Sequence, residues 1–104
     1  MRGVAEVLDT TTLRIDGKVV KLFGVEWARG GQGEELSRYL RDREVTCQPA
    51  TPPTTYRCQV ETNDLSRVVL FNGGARATPD APPELKAAEA KARSERIGVW
   101  SGTR

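Results

Sequence analysis

The strongest constraint on this chain is a coincidence between two short segments, Val45-Thr46-Cys47-Gln48 and Arg57-Cys58-Gln59-Val60. Each alternates apolar and polar residues with the period of two that marks a strand with one buried face. With Pro52-Pro53 at the tip of the loop between them, Cys47 falls opposite Cys58 and Val45 opposite Val60. Both valines and both cysteines then share one face, and Thr46, Gln48, Arg57 and Gln59 share the other. A non-hydrogen-bonded antiparallel pair holds its Cα atoms about 4.5 Å apart, within reach of a disulfide. Two outcomes fit this register: a Cys47–Cys58 bridge, or two free thiols buried as small apolar groups. The bridge is the outcome expected here, and it implies an oxidising compartment, the periplasm or the cell exterior.

A second hairpin lies upstream. Leu13 and Ile15 alternate with Arg14 and Asp16, and Asp16-Gly17 supplies a two-residue turn. That turn sets Leu13 opposite Val20 and Ile15 opposite Lys18, so Leu13, Ile15, Val20 and Leu22 form one core-facing side. Gly3 to Asp9 reads as a first strand. Gly30 to Gly33 is a glycine-rich joint without the spacing of a phosphate-binding fingerprint. A helix follows with Leu36, Tyr39 and Leu40 on one stripe. Asp64 is a good N-cap for a short helix through Leu65, Val68, Val69 and Phe71, closed by Gly73-Gly74. Pro82-Pro83 opens an alanine-rich last helix with Leu85, Ala88 and Ala92 on one side, ending at Gly98 and leaving Val99 and Trp100 to dock.

Composition excludes several functions. At 104 residues with 38% hydrophobic content, the chain is expected to form one domain, 1–104, around one modest core. No apolar run approaches the roughly 20 residues that span a bilayer. Met1-Arg2-Gly3 lacks the apolar region of a signal peptide and runs directly into a strand, as expected where a leader or anchor has been removed. There is no histidine, which removes the usual general base and the commonest transition-metal ligand together. A net charge of +2, with acids and bases interleaved along the last helix, predicts weak and salt-sensitive nucleic-acid binding.

Five short motifs follow one another in order: Val7-Leu8-Asp9 before a Thr, Leu22-x-Gly24-Val25, Asp64-Leu65, Gly74-Ala75 and Gly98-Val99-Trp100. With the sequence of elements, they resemble the staphylococcal nuclease family over nearly the whole chain, from Gly3 to about Gly102. The resemblance implies a mainly β, α+β fold: a five-stranded OB-type barrel with about three helices. It also implies a reaction, calcium-dependent hydrolysis of a nucleic-acid phosphodiester. That reaction needs acidic metal ligands, a glutamate that activates water and two arginines facing the phosphate.

The positions that would carry this chemistry are altered. The family signature Asp-Gly-Asp-Thr keeps Asp9 and Thr12, but the ligand position is the neutral Thr11. In Arg-Leu-x-Gly-Ile-Asp-x-Pro-Glu, Lys21 stands for the arginine and lacks its planar fork. Glu26 stands for the second metal ligand. Ala28 replaces the proline, and Arg29 occupies the place of the catalytic glutamate, reversing its charge. The second arginine aligns with Arg57 or with Pro53; the spacing from Cys58 to Asp64 favours Pro53, which makes Arg57 a surface strand residue.

These substitutions predict a catalytically degenerate nuclease-like domain that acts as a binding or scaffold module, its ligand unidentified. The binding candidates are Lys21, Glu26, Trp27, Arg29 and Arg57. Asp9 and Glu26 are the residual metal candidates, and calcium is expected as a cofactor only if nuclease function persists. The alternative is a weak or rearranged metal-dependent phosphodiester hydrolase using Glu26 with Lys21 and Arg57. A third reading makes the chain a structural part of a larger envelope or secreted protein.

Overall fold

Asp16 and Gly17 turn the chain because both adopt positive φ, 53° and 77°, the backbone of a tight two-residue hairpin. In the computed structural model, which describes residues 1–31, 33–51 and 54–101, this turn joins β3 (Thr12–Ile15) to β4 (Lys18–Leu22). Leu13 pairs with Val20 and Ile15 with Lys18, the register the sequence dictates. Leu13, Ile15, Val20 and Leu22 are all buried. The first strand is divided: β1 (Arg2–Val4) and β2 (Glu6–Asp9) are separated by Ala5 alone.

Downstream come β5 (Val25–Glu26), α1 (Gly33–Leu40), β6 (Glu44–Thr51), β7 (Thr55–Val60), β8 (Asn63–Asp64), α2 (Leu65–Phe71), β9 (Arg76–Ala77) and α3 (Pro83–Glu95). A 3-10 turn, Gly98–Trp100, closes the described chain. Among the described residues, β1, β6, β7, β4, β3 and β2 lie side by side in that order, with β8 added to β7, seven strands in all. The β4–β7 pair is parallel and the others are antiparallel. The two ends of this path, β1 and β2, are successive stretches of one segment. β5 and β9 form a separate two-stranded ladder.

Cys47 pairs with Cys58 in the β6–β7 ladder and the two form a disulfide, with Cα atoms 4.0 Å apart. Cys47 spends its backbone bonds on the other neighbour: its N–H donates to the Met1 carbonyl at 2.7 Å, and its carbonyl accepts from the Met1 nitrogen at 3.1 Å. Towards β7 it is therefore a non-hydrogen-bonded position, the close-approach geometry a cross-strand disulfide uses. Val45, Cys47, Cys58 and Val60 are all buried. The hairpin tip expected at Pro52-Pro53 lies outside the described residues.

The fold is a small α+β globule, with three α-helices against a core built mainly by the sheet. α1 buries Leu36 and Leu40; α2 buries Leu65, Val69 and Leu70; α3 buries Leu85, Ala88 and Ala92. Glu34 and Glu35 in the first turn of α1 and Arg38 in its last turn complement the helix dipole. The Asp64 carboxylate caps α2, accepting from the Ser66 N–H at 3.1 Å. The short helix expected through Leu65, Val68, Val69 and Phe71 is α2, with Phe71 at its end 43% exposed. The end of the last helix differs from expectation. α3 stops at Glu95, before Gly98, because Arg96 takes the left-handed conformation at φ 54° and its N–H folds back onto the Ala92 and Arg93 carbonyls. Gly98 then packs backbone to backbone on Gly73, with the Val99 N–H on the Gly73 carbonyl at 2.7 Å; a Cβ on Gly98 would collide with that carbonyl. Among the described residues no helix is long and apolar enough to cross a membrane.

Candidate functional site

Asp9 ends β2 at an irregularity in the ladder, where the register passes from Val7↔Leu13 to Asp9↔Thr12. The bulge turns the Asp9 carboxylate back over its own turn. Asp9 Oδ1 accepts from both the Thr11 N–H and the Thr11 hydroxyl, each at 2.7 Å. Thr11 is buried, and its hydroxyl lies 3.4 Å from that of Thr12. Thr11 thus brings two donors and no charge to the Asp9 carboxylate. The two bonds satisfy one carboxylate oxygen internally.

Lys21 reaches the same neighbourhood from β4. It pairs with Thr12 on one side and with Thr55 on the other, and its side chain is exposed. The Leu22 N–H donates to the Thr11 carbonyl and the Phe23 N–H to the Tyr56 carbonyl, both at 2.9 Å. This bonding lays the end of β4 beside β7. Phe23 is half-buried, packs against the core, and carries the Arg57 guanidinium 4.5 Å from its ring centroid. Arg57 is an exposed strand residue, and its stacking on Phe23 is a contact the sequence did not reveal.

Glu26 and its neighbours belong to the smaller ladder. Gly24 makes the turn that leads there, with φ 78° and the Leu85 side chain 2.6 Å from where a Cβ would stand. Val25 then pairs with Ala77 and Glu26 with Arg76. β9 is tied to α3 through the Ala77 N–H, which donates to the Glu89 carboxylate at 2.9 Å. Trp27 is 54% exposed, Ala28 is buried, and Arg29 is exposed at a turn closed by the Gly31 N–H on the Ala28 carbonyl at 3.0 Å. The candidates therefore fall into two groups: Asp9, Thr11, Lys21 and Arg57 on the main sheet, and Glu26, Trp27 and Arg29 on the small ladder and its turn. Among the described residues no three His, Cys, Asp or Glu side chains gather where they could hold a metal.

Sequence reading missed Arg76, the partner of Glu26. Two-residue strands carry no periodicity, so nothing in the segment marks it. At Asp64, burial pushes the carboxyl pKa up, against the opposing effects of the Ser66 N–H and the Arg57 charge. No protein-family model matches the chain, and no curated protein matches it in sequence. Fold and site define a disulfide-linked α+β fold with exposed cations, an exposed tryptophan and an Asp9 carboxylate bonded within its own turn.

Proposed function

We propose that this chain is a catalytically degenerate nuclease-like domain on an OB-type frame, acting as a binding or scaffold module. The carrying observation is the Asp9–Thr11 turn. A carboxylate holding two donors from its own turn is a poorer ligand for a hard cation, and the residue beside it adds no charge. Arg29 brings positive charge where a general base would be needed, and Glu26 faces Arg76 across its ladder. The OB-type reading draws support from the strand order, whose ends β1 and β2 are separated by a single residue. The disulfide favours a periplasmic or secreted location. The binding surface offers Trp27 and Arg29 on one group and Lys21 with the Phe23–Arg57 stack on the other, a combination of aromatic and cationic contacts.

The test is a cleavage assay on single-stranded DNA and RNA with and without Ca²⁺, run beside calorimetry of Ca²⁺ binding. The expected result is no calcium-dependent cleavage and calcium affinity no tighter than millimolar. The Thr11→Asp/Arg29→Glu double variant is expected to bind Ca²⁺ more tightly than the parent, because it adds two carboxylates and removes a cation. Calcium-dependent cleavage by the unaltered protein would overturn the proposal and favour the weak-hydrolase alternative.

A further inference from the structure

The surface between α1 and α2 is not used by any of these residues. A groove of about 400 Å³ runs between the two helices, and Lys21, Glu26, Trp27, Arg29 and Arg57 are not among its lining residues. Its volume falls in the roughly 300–1,000 Å³ range of small-molecule sites. The walls are apolar: Leu36 and Val69 are buried, and Val68 and Tyr39 are half-buried. Its polar groups are the Glu35 carboxylate and the neutral Thr10, Tyr39, Asn63 and Asn72 side chains. Glu35 is the single carboxylate of the lining, no Lys or Arg lines the groove, and Glu35 takes no part in the four ion pairs among the described residues. α2 ends here with no basic residue in its last turn, and its Val68, Val69 and Leu70 carbonyls accept from the N–H groups of Asn72, Gly74 and Gly73. Asn72 donates its Nδ2 to the Val68 carbonyl at 2.8 Å, which leaves its Oδ1 as an acceptor at the same end. Arg43 lies 5.5 Å from the Tyr39 ring centroid, outside the lining, so the ring that walls the groove already accommodates a cation.

We propose that this groove is a binding site for small organic cations: an apolar body between Leu36, Val68 and Val69, with an ammonium group held by the Glu35 carboxylate and the Asn72 Oδ1. An apolar trough that offers one carboxylate and an amide oxygen, with no Lys or Arg in its described lining, complements an amine and repels an anion of the same shape. This is a different ligand chemistry from a phosphodiester, and the groove meets the proposed nuclease-like site only at Thr10, in the Asp9–Thr11 turn.

The proposal is tested by amide chemical-shift titration with three probes sharing one aromatic body: phenethylamine, 2-phenylethanol and phenylacetate. Phenethylamine is expected to shift the amides of Leu36, Val68 and Val69, 2-phenylethanol to do so more weakly, and phenylacetate not at all. Glu35→Gln, an exposed change, is expected to lower the amine affinity about tenfold, the size of one charge-assisted hydrogen bond, and leave the alcohol unchanged. Val68→Phe is expected to fill the groove and abolish both, with amide shifts of β3 and β7 serving as the check that the fold is kept. The proposal fails if phenylacetate binds as well as the amine, if Glu35→Gln leaves amine affinity intact, or if the shifts fall elsewhere on the chain.

Discussion

The β3–β4 hairpin and the segment Val25–Arg29 follow one another along the chain and are held in opposite ways. In the hairpin, four pairs of residues are in register and four apolar side chains are buried to 2% exposure or less. In Val25–Arg29, two residues pair with β9, two are buried, and Glu26, Trp27 and Arg29 stand in solvent. In the first region each side chain is fixed by its neighbours, since interiors are close-packed and a lost methylene is felt. In the second the backbone is anchored by Val25 and Ala28 while the side chains between them are unconstrained by packing. A frame can thus persist while the charges displayed on it change.

The sharpest way to break this comparison is to remove one side chain from each region. Leu13→Ala is expected to cost about 2–5 kcal/mol in denaturant unfolding, because the site is fully enclosed and leaves a cavity. A cost under 1 kcal/mol would mean the hairpin is not the rigid partner in the comparison. Replacing both cysteines, Cys47→Ala with Cys58→Ala, is expected to cost up to about 3 kcal/mol in the chain-entropy model for a bridge of this span, with thiol reduction of the parent giving a similar loss.

Asp64 sharpens the comparison at the helix cap. Asp64→Ala is expected to cost about 1 kcal/mol through loss of the Ser66 N–H bond, whereas Asp64→Asn keeps an equivalent cap. The pH dependence separates cap from charge. The folded pKa of Asp64 lies above the ordinary 3.8, so the folded state holds the proton more tightly than the unfolded one. Its contribution is present below that value and is lost as pH rises through the folded pKa. Asp64→Asn is therefore expected to gain on the parent between pH 3 and pH 7, read as the difference in their unfolding midpoints. Equal slopes for the two proteins would refute the assignment. The smallest effect belongs to Trp27→Ala, within about 0.5 kcal/mol of the parent in stability, since more than half of the side chain is in solvent. A larger loss there would erase the contrast between the two regions.

Sequence and structure agree where the determining interactions are local. The pairing of Leu13 with Val20 follows from one turn, and Cys47 lies opposite Cys58 because two alternating segments share a buried face. Asp64 caps α2 because a carboxylate two residues from a helical N–H needs no distant partner. What was hidden depends on contacts between segments far apart in sequence. The parallel pairing of Lys21 with Thr55, the meeting of Glu26 with Arg76 and the Arg57–Phe23 stack have no period or spacing to announce them. The Asp9–Thr11 bonds are local, but they depend on a ladder irregularity that alternation alone does not encode. The groove between α1 and α2 exists only once two helices are placed side by side.

The division of the first strand at Ala5 has a consequence for the order in which the molecule assembles. Glu6 and Val7 find their partners Arg14 and Leu13 within a few residues, whereas Arg2–Val4 must wait for Glu44–Thr46. During synthesis at about 5–20 residues per second, the meander β2–β3–β4 is available seconds before β6 emerges. Distant pairings pay their loop-closure entropy late. The same eight-residue stretch therefore takes part in the earliest strand pairing and in one that waits for β6, and β1 is expected to gain protection from amide exchange after the β2–β3–β4 meander as the chain folds.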